Sequence, residues 1–169
     1  SGEVDCAIMA EPFPDTGLAT AALYDEPFVV AVPASHPLAK RKSITAEALK
    51  EETMLLLGTG HCFRDHVLDV CPEYARFASH AEGIRKSFEG SSLETIKHMV
   101  ASGMGITVVP TLSVPRDPQR DVRYVKFVAP APTRRVVLAW RRTFPRYEAI
   151  AALRNAVHAC KLDGIKLLT

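Results

Sequence analysis

Short apolar runs and helix-patterned segments take turns along the whole chain, and this alternation limits the possible folds more than any other feature. Val4, Cys6 and Ile8 alternate with Asp5 and Ala7, the period of a strand with one buried face, and residues 27–32 and 54–57 are continuous apolar runs that read as buried strands. Thr45 can cap a short helix over residues 46–50 with Ala48 and Leu49 inward, and Phe63, Val67 and Val70 recur at helical spacing before Pro72 stops the pattern. Ser91 and Glu94 form a capping box ahead of Ile96, Met99 and Val100, and Gly103 is placed to end that helix in the left-handed conformation. Strands follow at 105–110, 122–127 and 136–140, with a turn at 115–119 and a stiff linker at Ala129-Pro130-Ala131-Pro132. A last helix sets Ile150, Leu153, Val157 and Cys160 on one face, which predicts packing onto a sheet. The pattern predicts an α/β fold with a largely parallel sheet. Crossings near residues 24–27 and at the proline linker divide it into 1–25 and 129–169 as one lobe and 26–128 as the other, with a cleft between them as the expected ligand site.

The remaining bulk properties exclude more than they assign. A chain of 169 residues that is 47% hydrophobic can bury an ordinary core, so size demands no staple, and 4 cysteines are far below the density of a disulfide-built secreted scaffold. The opening Ser-Gly-Glu-Val-Asp lacks the basic and apolar regions of a signal peptide, and no apolar run approaches the roughly 18 residues of a membrane span, so a soluble cytoplasmic protein without membrane contact is expected. With 21 basic and 19 acidic residues the net charge is +2, too small to argue that this chain itself grips nucleic acid. Lys40-Arg41-Lys42 reads as a solvated turn.

The cysteines separate into two kinds. Cys6 lies on the apolar face of its strand and Cys160 on the stripe of the last helix, and both read as core. Cys62 instead opens a helical segment just after Thr59-Gly60-His61, where the positive end of the helix dipole and unpaired N–H groups favour a thiolate, with Arg64, His61 and His66 close in sequence. A buried inert thiol is the other reading. Cys71 follows nine residues later, a rise of roughly 13–14 Å and a rotation of about 180° along a helix, so the two sulfurs would lie on opposite faces. A disulfide needs Cα atoms within roughly 4.4–6.8 Å, so one could form here only if residues 63–70 refolded. Bond formation would then be a change of shape. His61, Cys62, His66 and Cys71 also contain four possible zinc ligands, but their spacing lacks the close pairs of structural zinc sites, and no metal or cofactor is expected. Gly103-Met104-Gly105 is a helix end and weak evidence for a nucleotide.

The run from Ser91-Ser92-Leu93-Glu94-Thr95-Ile96 through Ala101-Ser102-Gly103-Met104-Gly105-Ile106-Thr107-Val108-Val109-Pro110 resembles the effector-domain signature of LysR-type transcription regulators, and Gly2-Glu3-Val4-Asp5-Cys6-Ala7-Ile8 fits that family's first-lobe strand. Gly60-His61-Cys62-Phe63-Arg64-Asp65 with Cys71 is similar to the redox segment of the family's peroxide-responsive members, although Phe63 and His66 stand where leucine and glutamine belong to the pattern.

The resemblance implies a type 2 periplasmic-binding-protein-like regulatory domain of two Rossmann-like lobes, the first incomplete in this chain. It implies Cys62 as the peroxidatic cysteine, oxidised by hydrogen peroxide to sulfenic acid, and Cys71 as the resolving cysteine that closes a reversible intramolecular disulfide. Supporting roles around the thiolate fall to Thr59, Gly60, His61, Arg64 and Asp65, and to Arg134, with Arg135 as the alternative. The family further implies a homodimer, or a tetramer at full length, DNA contacts through an N-terminal domain that this chain lacks, a thiol reductant such as glutaredoxin or thioredoxin, and control of oxidative-stress genes rather than enzymatic turnover. Pocket residues from the missing part of the first lobe stay unassigned. Two rival readings remain: a LysR-type domain binding a small organic effector with incidental cysteines, and a thiol peroxidase.

Overall fold

The computed structural model describes residues 4–14, 17–59, 61–74, 87–117 and 120–168. The chain divides into two compact units, one made of residues 1–27 and 133–169, the other of residues 28–132.

In the first unit, strand β1 (Cys6–Ala10) and the opening part of the long β2 (Leu18–Pro33) both lie antiparallel to β8 (Thr133–Arg141). A short β9 (Lys166–Leu167) pairs with Tyr24 and Asp25. Helix α3 (Tyr147–Ala159) covers a small core of Leu23, Val136, Leu138, Phe144 and Ile150. Residues 18–24 are rich in alanine and carry no strand pattern of their own; the ladder to β8 makes them a strand, a case of tertiary pairing overriding propensity. The core expectation fails for Cys160 and holds in part for Cys6, which packs half-buried against this core. Cys160 lies just past the end of α3 and is exposed, and Leu153 on the supposed inward face is 36% exposed, because only Ile150 and Val157 of that stripe reach the core. Val4 and Ile8 are also exposed, at 66% and 52%, and Cys6 is only half-buried.

In the second unit, the remainder of β2 is flanked by β6 (Thr107–Pro110) and β7 (Val122–Phe127), both antiparallel to it. β3 (Ser43–Ile44) runs parallel to β7, and β4 (Met54–Leu57) parallel to β5 (Ser87–Gly90), with Met54 also bridged in parallel to Ile106. The sheet is therefore not largely parallel, as the alternation suggested. Among the described residues, β6, β7 and β8 all run back antiparallel beside one long outgoing strand, β2, and the parallel pairings are confined to β3–β7, β4–β5 and the Met54–Ile106 bridge.

Three helical features place the site. The segment after Thr45 is a single 3₁₀ turn (Ala46–Leu49) that Thr45 does not cap through its side chain, with Leu49 fully buried. Helix α1 (Cys62–Val70) buries Phe63 and Val67 against β4. Helix α2 (Leu93–Ala101) is capped by Ser92, whose hydroxyl accepts the Thr95 N–H at 3.1 Å, so the cap sits one residue later than the Ser91 box. Gly103 closes α2 with φ +80°, a value that suits glycine. Two residues on, a β-carbon on Gly105 would stand 2.5 Å from the Thr53 carbonyl, and that close approach brings Ile106 into register beside β4.

Candidate redox site

The two cysteines singled out by the sequence stand at opposite ends of α1. Cys62 is its first residue and is exposed; Cys71 caps its last turn and is completely buried, its N–H donating to the Val67 carbonyl at 3.0 Å. Both are free thiols. The helix is continuous between them, so the rise of roughly 13–14 Å applies and no bond between the sulfurs is compatible with this arrangement.

Around Cys62 the chain is open. Thr59 and His61 are exposed, and His61 occupies the N-cap without a side-chain bond to the helix, while its carbonyl accepts the Arg64 N–H at 2.9 Å. Asp65, one turn on, is also exposed. Gly60 lies outside the described residues. Arg64 takes the opposite course. Two residues beyond Cys62, it points to the other side of the helix, is buried, and its Nη1 donates to the Leu57 carbonyl at 2.8 Å and to Glu89 Oε1 at 2.7 Å. Its guanidinium thus ties α1 to the ends of β4 and β5.

The inward face of α1 rests on an aromatic cluster. Phe28 and Phe63 meet edge to face with centroids 5.5 Å apart, and His66 lies 6.3 Å from Phe28 and 6.1 Å from Phe63. Phe63 and His66, the two departures from the family pattern, are therefore neighbours in one packing unit. His66 is buried one turn below Cys62 on the helix.

Cys71 sits in the reverse of Cys62's environment. Burial, followed by the fields of Glu73 and Glu47, pushes its thiol up to about 12. Tyr74, also completely buried, closes the turn after it: the Tyr74 N–H donates to the Cys71 carbonyl at 3.1 Å, and its hydroxyl donates to the carbonyls of Leu49 and Glu52. Sequence reasoning passed over Tyr74, Glu89 and Phe28 as site residues. Only Tyr74 offered a signal, an aromatic residue three positions after a cysteine and two after a proline.

Arg134 and Arg135 belong to the first unit, where both are ion-paired. Arg134 Nε and Nη2 reach the buried Glu26 Oε2 at 2.8 Å, and Arg135 Nε reaches Asp25 Oδ1 at 2.9 Å, holding the Asp25 carboxyl below its usual range. Among the described residues, no three of His, Cys, Asp and Glu gather as a metal-binding group. No helix among them is long and apolar enough to cross a membrane.

Comparison with known proteins places this geometry. A curated hydrogen peroxide-inducible genes activator of Pectobacterium carotovorum is 39% identical over 155 residues, covering 89% of this chain and 49% of the relative. The DNA-binding transcriptional dual regulator OxyR of Escherichia coli K12 is 36% identical over 165 residues, covering 97% of this chain and 52% of the relative. The chain thus spans about half the length of these curated relatives. Among solved structures, a reduced form of OxyR from N. meningitidis superposes with a TM-score of 0.91 at 40% identity, covering 99% of this chain and 77% of that one. An oxidised form of OxyR superposes with a TM-score of 0.74 at 32% identity, covering 94% of this chain and 72% of that one. The fold is that of the type 2 periplasmic-binding-like regulatory domains. By its match over residues 1–160 to the LysR substrate binding domain, and by its likeness to these OxyR proteins, the chain belongs to the LysR family of regulators.

Proposed function

We propose that this chain is the redox-sensing regulatory domain of a LysR-type transcription factor responsive to hydrogen peroxide. The observation that carries the reading is the contrast between an exposed Cys62 at the first position of α1 and a buried Cys71 at its end, on a fold similar to reduced OxyR. The Cys62 thiolate attacks peroxide, the O–O bond breaks, one oxygen stays on sulfur as sulfenic acid and the other leaves as hydroxide. The Cys71 thiolate then attacks that sulfur, the S–O bond breaks, and a second hydroxide leaves. Protons from the two thiols make both into water, so two thiols and one peroxide give one disulfide and two waters.

The second step requires α1 to come apart, because the cysteines stand at its two ends. Exposing Phe63 and Val67 alone costs about 3–6 kcal/mol, which makes the reduced fold a definite state rather than a soft one. The half-exposed Glu89 can give up its ion pair to Arg64 at modest cost, while the buried guanidinium must also leave the Leu57 carbonyl. In this reading the two compact units are the lobes of the domain. The refolded segment repacks a homodimer or tetramer in the cytoplasm, and a separate N-terminal domain carries the change to DNA. A thiol reductant such as glutaredoxin or thioredoxin resets the pair. Thr59, Gly60, His61 and Asp65 are the candidates to shape the approach to Cys62, with Arg134 a further candidate carried from the family.

Mass spectrometry after one equivalent of peroxide tests the reading, with a Cys62–Cys71 disulfide as the expected product. Oxidation confined to Cys6 or Cys160 would overturn it. Steady turnover of peroxide with a reductant, at a rate far above that of a single oxidation, would mark a thiol peroxidase instead of a sensor.

A further inference from the structure

Between Cys71 and the rest of the second unit stands a connection that the two-cysteine chemistry does not use. Tyr74 is completely buried, and its hydroxyl donates to the Leu49 carbonyl and to the Glu52 carbonyl, the latter at 2.8 Å. Those carbonyls belong to the Ala46–Leu49 turn and its continuation, where the Glu52 N–H donates to the Leu49 carbonyl at 3.0 Å. The Glu52 carboxylate is held in turn by His36 Nε2 at 3.2 Å. On its other side Tyr74 is bonded through its own N–H to the Cys71 carbonyl, so residues 71–74 form one turn, stiffened by Pro72.

From this arrangement we infer that Tyr74 is a positioning residue for the resolving step: its hydroxyl latches the Cys71 turn to the backbone of residues 49–52 and sets the rate at which Cys71 is released toward Cys62. The inference rests on the redox reading above and deepens it. Cys71 cannot travel the length of α1 while its turn stays fixed, and the tie lies only three residues away in the same hydrogen-bonded turn. The ring of Tyr74 serves packing, which phenylalanine would serve equally. It is the hydroxyl oxygen that joins Tyr74 to the backbone of residues 49–52, and the Leu49 carbonyl keeps the Glu52 N–H as a partner when that oxygen is gone. The latch also keeps water from Cys71, consistent with the upward shift of its thiol.

The test is Tyr74→Phe in the chain of this sequence, read at three points. In reduced protein without peroxide, pulse alkylation located by peptide mass should label Cys71 about 5- to 10-fold faster than in the parent, the effect of removing one buried hydrogen bond. After peroxide, conversion of sulfenic acid to disulfide should accelerate by a similar factor, while formation of the Cys62 sulfenic acid stays within about twofold. A folded variant with Cys71 labelling and resolution unchanged would overturn the latch, as would equal acceleration of both oxidation steps. Placing 3-fluorotyrosine at position 74 keeps the ring and strengthens the donor; it must slow Cys71 labelling, and this variant decides the matter where the phenylalanine form does not fold. A parent protein that forms no Cys62–Cys71 disulfide would remove the switch, and the labelling comparison would still decide the latch.

Discussion

The two ends of α1 are built to opposite specifications. At the Cys62 end the sulfur is exposed, the N-cap His61 makes no side-chain bond to the helix, and the nearby Thr59 and Asp65 are exposed as well. At the Cys71 end the sulfur is sealed in, a buried tyrosine ties the next turn down, and acidic neighbours add to burial in holding the proton on the thiol. The proposed chemistry thus draws exposure and restraint from different ends of one short helix. In the proposed chemistry this contrast orders the steps by access: Cys62 is exposed as it stands, whereas Cys71 enters only after structure is lost.

Removing the open end should have the largest effect. Cys62→Ser is expected to abolish the intramolecular disulfide and leave Cys71 reduced under the same peroxide dose, measured by differential alkylation; a disulfide that persists through Cys71 would break the contrast. Next comes the packing that keeps the ends apart. Phe63→Ala removes the centre of the cluster with Phe28 and His66 and should cost about 3–5 kcal/mol in denaturant unfolding of the reduced form. It should also raise the rate of disulfide closure, because the helix to be dismantled is already weakened.

The closed end can be probed by pH. In an unfolded chain a thiol ionises near the ordinary value of 9.0, whereas in the folded protein Cys71 does so at about 12. As pH rises past the lower value the unfolded chain releases this proton and the folded one keeps it. Stability is therefore present in full below about pH 9 and falls from there toward about pH 12. Denaturation midpoints should drop over that window in the parent and drop less in Cys71→Ala; equal slopes would show that burial is not what separates the two thiols. The smallest expected effect is that of Glu89→Gln, which removes a half-exposed ion pair to Arg64 and should cost no more than about 1 kcal/mol. A larger loss would mean that the strand ends, and not the aromatic cluster, hold the helix.

What could be read in the sequence was whatever local chemistry decides. The strands at Met54–Leu57 and Val122–Phe127, the helix beginning at Cys62 and the glycine stop at Gly103 all carry their reasons within a few residues. What could not be read depends on partners distant in the chain. Residues 18–24 become strand through Val136 to Arg141, and the mainly antiparallel pairing follows from where β7 and β8 return. The exposure of Cys160 follows from how little of α3 the core of its unit covers. At the candidate site, spacing placed the two cysteines on opposite faces of a helix. It could not show that Arg64 turns inward to Leu57 and Glu89, nor that Tyr74 reaches back to residues 49–52, since both contacts join separate elements.

In the proposed mechanism the sealed position of Cys71 also governs timing. A sulfenic acid on Cys62 must wait for its partner to be released, and during that wait it is open to competitors. A second peroxide would carry it to the irreversible sulfinic acid, and a small cellular thiol would trap it as a mixed disulfide. Dose and thiol supply therefore divide the outcome three ways. On the proposed mechanism, the burial of one sulfur builds in a delay within which the oxidant's abundance is weighed before the shape change is made.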